Sequence, residues 1–244
     1  MTPPELVAQA CPIIGVAGNA FYFTSESLAA GAELGLDRLQ WYVGGRGGVL
    51  GNVESSVVRA AFGYFNPTMI DRGWLGATAL CPPRTIGRVF YECSAAHGRR
   101  TLADVDGLDR FVAAADAVLA AADATGLSMF AALAAEPMVD DVPGRAMQLL
   151  TVLREYRGSA HLVALRASGI DSKTAHFVKR PNDLKLFGWT ESDAPVITDE
   201  THTAMTRAEA LTDAIVAPAF GVLGDETATI FLDTLGAIQT VLAG

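Results

Sequence analysis

Apolar residues along this chain recur at three- and four-residue steps, and no stretch shows a convincing alternation of period two, so the pattern predicts helices throughout. A first helix begins after Pro3-Pro4 and runs to about residue 20, with Pro12 expected to kink or split it. Thr24 and Ser25 cap a second helix stopped at Gly35, and LDRLQWYV at 36–43 makes a third. Asn52 is expected to cap a helix through Tyr64 with Val53, Val57, Ala60, Ala61 and Tyr64 on one face. FNP at 65–67 breaks it, and Pro67 opens the next.

Residues 84–98 resume as a helix with Ile86, Val89, Phe90 and Cys93 inward, and the alanine-rich 104–124 predicts close helix packing. Asp140, Asp141 and Pro143 start a long helix whose apolar stripe is Leu149, Leu153, Tyr156, Ala160, Val163, Ala164 and Ala167. Gly169 stops it, Asp171 caps a short helix ended by Pro181, and 182–200 reads as irregular chain pinned by Phe187 and Trp189. Helices at 201–222, closed at Pro218, and 226–242, capped by Asp225, complete an all-α globule of about ten helices. Cys81-Pro82-Pro83 is the expected boundary between an N-terminal helical subdomain, 1–81, and a C-terminal helical bundle, 82–244.

Composition narrows the partners. Half of the 244 residues are hydrophobic and 18% are charged, so the chain can bury a full core. A net charge of -9 disfavours nonspecific binding to phosphate backbones, although a local basic face remains compatible with it. Three scattered cysteines, Cys11, Cys81 and Cys93, form no CxxC pair, which points to a reducing cytoplasm. The first eighteen residues carry no Lys or Arg ahead of their apolar run, unlike a signal peptide, and no run reaches the roughly 18 apolar residues of a membrane span.

Four constellations could carry chemistry. Arg154, Arg157 and His161 lie on one stripe of the long helix with Glu155 beside them, a cradle suited to a carboxylate or phosphate and equally to an interhelical ion-pair network. Cys93 and His97 are spaced i, i+4, the minimum for a metal pair, but they match a hydrogen-bonded core His beside a small hydrophobe better, so no metal is expected. Residues 160–181 have the outline of a helix-turn-helix whose second helix carries Lys173, His176, Lys179 and Arg180, with Lys185 just beyond; it offers few base-reading side chains, and no β-hairpin wing follows. Aromatic residues crowd the N-terminal half, where Tyr22 and Tyr64 could serve as polar handles in an apolar pocket. The glycine run GGRGGVLG at 44–51 lacks a preceding strand, a Lys-Ser/Thr pair and GxGxxG spacing, so it is expected to be a flexible turn and no phosphate loop.

Taken together, FYFTSESLAAGAELGL, WYVGGRGGVLG, VVRAAFGYFNP, DATGLSMFAAL, LREYRGSAHLVALRASGI and EALTDAIVAPAF resemble the actinobacterial SalK-like family, over about residues 12–240. Members are usually labelled helix-turn-helix proteins, and the resemblance implies a fold and lineage with no established activity. Gly188-Trp189 follows the family pattern, but the TESDAPVITDE that comes next is short and proline-interrupted where relatives carry a fuller winged unit, which weakens the DNA-binding implication.

Two readings result. One is a cytoplasmic protein binding an anionic or amphipathic small molecule between its halves, as an enzyme of specialised metabolism or a simple binder, through Arg154, Glu155, Arg157, His161, Tyr22 and Tyr64. The other is a homodimeric transcriptional regulator using residues 160–181. Neither names a cofactor.

Overall fold

A computed structural model describes residues 1–243. Twelve α-helices and three short 3₁₀ turns make up the described chain, with no strand among the described residues. In order they are α1 (Pro3–Ala17), α2 (Ser25–Glu33), α3 (Arg38–Gly47), α4 (Ser55–Phe62), α5 (Pro67–Thr78), α6 (Pro83–Thr101), α7 (Leu108–Ala121), α8 (Ser128–Ala134), α9 (Val142–Ala167), α10 (Ser172–Lys179), α11 (Asp199–Phe220) and α12 (Asp225–Ala243).

The organising element is α9. Asp141 caps it by accepting from Gly144 N at 3.0 Å, and Pro143 fits the first turn, where no backbone donor is needed. Every residue from Ala146 to Leu153 is buried, because α1, α6, α7, α8 and α11 pack around it. A helix hydrophobic on all sides belongs at the centre of a fold. One continuous core includes Leu6 and Trp41 as well as Phe90, Leu150 and Ile238, so apolar packing runs unbroken across Cys81. A smaller cluster of Leu165, Ile170, Ala175, Met205 and Ala208 lies apart, beneath the corner where α9 turns into α10.

Two prolines are tolerated inside helices. Pro12 sits within α1, and Pro218 within α11, without ending either. Ala8 and Ala214, whose carbonyls each proline leaves without a partner four residues on, lie on exposed faces where water can satisfy them.

The run at 44–51 is not the flexible turn the sequence suggests. It completes α3 and a 3₁₀ turn, Gly48–Leu50, and its glycines are tightly enclosed. A Cβ on Gly48 would sit 2.2 Å from the Pro83 carbonyl oxygen, and one on Gly45 would sit 2.4 Å from the Phe90 ring. The absent side chains let the 3₁₀ turn press onto the α6 backbone and let α3 settle against the Phe90 ring. The helix expected after an Asn52 cap starts two residues late, with Glu54 at the cap position; Val57 and Ala60 face outward, and Val58, Ala61 and Phe62 face in. Val163 in α9 is likewise exposed. Residues 182–198 carry two 3₁₀ turns, and Phe187 and Trp189 are buried within them. No single helix is long and apolar enough to cross a membrane; α11 and α12 together have the composition, but they meet at 118°.

Candidate functional site

The row Arg154, Arg157 and His161 projects from α9 into one wall of a cleft of about 500 Å³. The other walls are the middle of α1 around Pro12–Val16, Tyr42 and Arg46 of α3, the corner Ala61–Phe65, and Lys179 and Arg180 at the end of α10. Five cations line this cleft, and no carboxylate is among its lining residues. In a chain of net charge -9 the cleft is therefore a locally cationic site.

Behind the cations lie their counterions. Glu155 is buried and accepts from Arg46 twice, Nε to Oε1 and Nη2 to Oε2, both at 2.9 Å. Arg154 Nη1 donates to the same carboxylate at 2.7 Å, and Tyr22 Oη donates to it at 3.3 Å. Burial pushes the Glu155 carboxyl up, but Arg46 and Arg154 overcome it and hold the group at about 2. Tyr22 is buried, and desolvation raises its phenol. It thus buttresses the ion cluster and does not line the cleft.

The second cluster is built on α11. Arg157 donates to Glu209 at 2.9 Å and to Asp213 at 3.0 Å, and Lys179 also bonds Glu209. Desolvation opposes the Glu209 charge, yet Lys179 and Arg157 bring its carboxyl down to about 2. The carboxylates offset the charge of these cations, which still line the cleft. A free ligand anion would meet the same groups that these acids already show can bind oxyanions.

His161 joins Tyr64 to α11. Thr212 Oγ1 donates its one proton to the Ala208 carbonyl at 2.6 Å. His161 Nδ1, 2.8 Å from Thr212 Oγ1, must therefore be the donor in that contact. That leaves Nε2 as the acceptor for the Tyr64 hydroxyl at 2.7 Å. Burial lowers the imidazole to about 4, with Lys179 adding to the effect, so the ring is neutral at ordinary pH.

The other sequence candidates lie elsewhere or lie differently. Cys93 and His97, on α6, are not among the cleft's lining residues, and no third His, Cys, Asp or Glu joins them to make a metal-holding group among the described residues. His97 is buried with Nδ1 unpartnered, and desolvation lowers it. On α10, His176 has no exposed surface: it packs on Phe187 with ring centroids 4.5 Å apart. A base-reading role for His176 does not fit that burial. Lys173 lies over the Trp189 ring at 5.2 Å and Arg180 over Phe187 at 5.5 Å. A second, open groove of about 660 Å³ runs along the α9–α10 turn, but Asp171, Asp199 and Glu200 give it the opposite charge.

Sequence reasoning missed Arg46, Glu209 and Asp213. Glu209 and Asp213 are spaced i, i+4 on α11 with Thr212 between them, the counterpart of the row on α9. Arg46 was hidden by its glycine neighbours, although a buried Glu155 flanked by arginines already called for a further partner.

No curated protein and no solved structure matches this chain significantly. The α9–turn–α10 corner agrees with what family comparison finds: a model described as the helix-turn-helix family matches residues 9–244, and the protein belongs to that family.

Proposed function

We propose that this protein, an actinobacterial SalK-like member of its family working in the cytoplasm, binds a small organic anion with an aromatic or apolar body in the cleft beside α9. The observation that carries this reading is the five-cation, carboxylate-free lining in an acidic chain. Phe62, Phe65 and Phe187 supply an apolar side to the same cleft, matching a ligand with one charged and one greasy end. Arg46 stacks over Phe62 at 4.4 Å, which extends a flat cationic surface toward a planar ligand.

The test is a thermal-shift and calorimetric screen of aromatic carboxylates, aliphatic carboxylates and organic phosphates, with native mass spectrometry for a copurifying ligand. Arg157→Gln should abolish binding of whichever anion stabilises the wild type. A screen in which no anion binds would overturn the reading.

The family match and the α9–α10 corner favour a second reading, a homodimeric DNA-binding regulator. It requires Lys173, Lys179 and Arg180 to reach a duplex, half-sites being about 34 Å apart. Lys173 packs on Trp189, Lys179 bonds Glu209 and Arg180 packs on Phe187, so each would have to leave its present contact to reach a duplex. Retardation of the gene's own upstream DNA at low salt would favour the second.

A further inference from the structure

Tyr64 is the one non-glycine residue among the described residues with a positive φ, 41°. Such backbone is strained and persists only where the surroundings fix it. Here Trp189 Nε1 donates to the Tyr64 carbonyl at 2.7 Å, Asn66 N donates to the Phe187 carbonyl at 2.8 Å, and Gly63 enters the corner at φ 55°. The constraint lays the Tyr64 ring parallel to His161, 11° between planes, with the phenol on Nε2. No other group among the described residues bonds that phenol oxygen, and both rings line the cationic cleft.

We propose that Tyr64 and His161 form a proton-transfer centre that enolises an aromatic 2-oxoacid bound in the cleft, Tyr64 Oη being the atom that meets the substrate C–H. This rests on the anion-binding reading above. Tyr64 Oη takes the proton from the carbon beside the keto group as its own proton passes to His161 Nε2. The C–H electron pair forms the new C=C bond and the C=O π pair moves to the keto oxygen, giving an enolate whose charge faces the cations lining the cleft, Arg157 among them. His161 keeps its Nδ1 proton on Thr212 throughout. The relay then runs backward, returning a proton to the oxygen as the enol or to the carbon as the keto acid. The reaction is a tautomerisation and needs no oxidant, reductant or co-reactant.

Phenylpyruvate is the probe, since it has a carboxylate, an aromatic ring and an acidic C–H next to its keto group. Its benzylic proton signal is followed by NMR in deuterated buffer while binding is measured by calorimetry. Wild-type protein should accelerate deuterium exchange about 100-fold or more over buffer. Tyr64→Phe keeps the ring and should return exchange to the buffer rate while phenylpyruvate still binds. Thr212→Val, which frees the imidazole tautomer without removing either ring, should slow exchange and leave binding intact. Bound phenylpyruvate exchanging at the buffer rate with wild-type protein, or equal rates for wild type and Tyr64→Phe, would overturn the proton-transfer centre and leave the binding cleft standing. Failure of phenylpyruvate to bind would overturn the proton-transfer centre alone, and only the wider anion screen would overturn the binding cleft.

Discussion

Arg46 and Glu155, 109 residues apart in the chain, meet as a two-pronged ion pair with both contacts at 2.9 Å. The pair joins α3 to α9, with Arg46 lining the cationic cleft and Glu155 outside its lining. Removing the acid alone strands two guanidiniums, so Glu155→Ala should destabilise the fold by about 3–5 kcal/mol. Replacing both partners, Arg46→Met with Glu155→Leu, should cost distinctly less than that single change. Urea unfolding of the three variants measures the difference.

Acid should weaken the protein in two stages. His161 is held at about 4 against an ordinary 6.5, so the unfolded chain takes up its proton first. Its contribution is complete above pH 6.5 and is lost as pH falls toward 4. Glu155 and Glu209 are held at about 2 against 4.5, and their contributions are complete above pH 4.5 and lost as pH falls toward 2. Urea midpoints measured from pH 8 to pH 3 should fall shallowly and then steeply. Glu209→Gln should flatten the second stage.

Two glycine-to-alanine changes should differ in sign. Gly236, in α12, has open space where a Cβ would go, and alanine there should add about 0.5–1 kcal/mol. A Cβ on Gly48 would lie 2.2 Å from the Pro83 carbonyl oxygen and 2.7 Å from the Gly87 backbone nitrogen, atoms that cannot step aside. Gly48→Ala should destabilise by about 1–3 kcal/mol despite any gain in helix propensity. Thermal melts of the pair suffice.

His176 is buried with neither ring nitrogen bonded to any described group. An unsatisfied buried polar ring is costly, so His176→Leu should be neutral or stabilising by up to about 1 kcal/mol. A loss of several kcal/mol on denaturant unfolding would contradict this.

Much of this was readable before any coordinates. Asp141, Pro143 and Gly169 mark the ends of α9 through backbone chemistry alone, and local caps of that kind depend on a few neighbouring residues. The i, i+3, i+7 spacing placed Arg154, Arg157 and His161 on one stripe for the same local reason. What faces that stripe was not readable. Arg46 lies in a run where low helix propensity argues for a turn, and only contact with α6 makes those glycines favourable. Val57 and Ala60 fit an inward face by spacing, yet α4 begins late and turns them outward. Partner choice between helices is a property of the assembled fold, and a single helix does not encode it.

The cationic cleft sits inside an acidic envelope, and that inversion governs how an anion would arrive. At long range such a molecule is repelled, and it is drawn in only within about a screening length, roughly 8 Å at physiological ionic strength. Salt that shortens the reach of the outer repulsion therefore speeds capture at first, and slows it only once the inner attraction is screened as well. Association rates plotted against ionic strength should pass through a maximum, where an ordinary oppositely charged pair shows a steady decline.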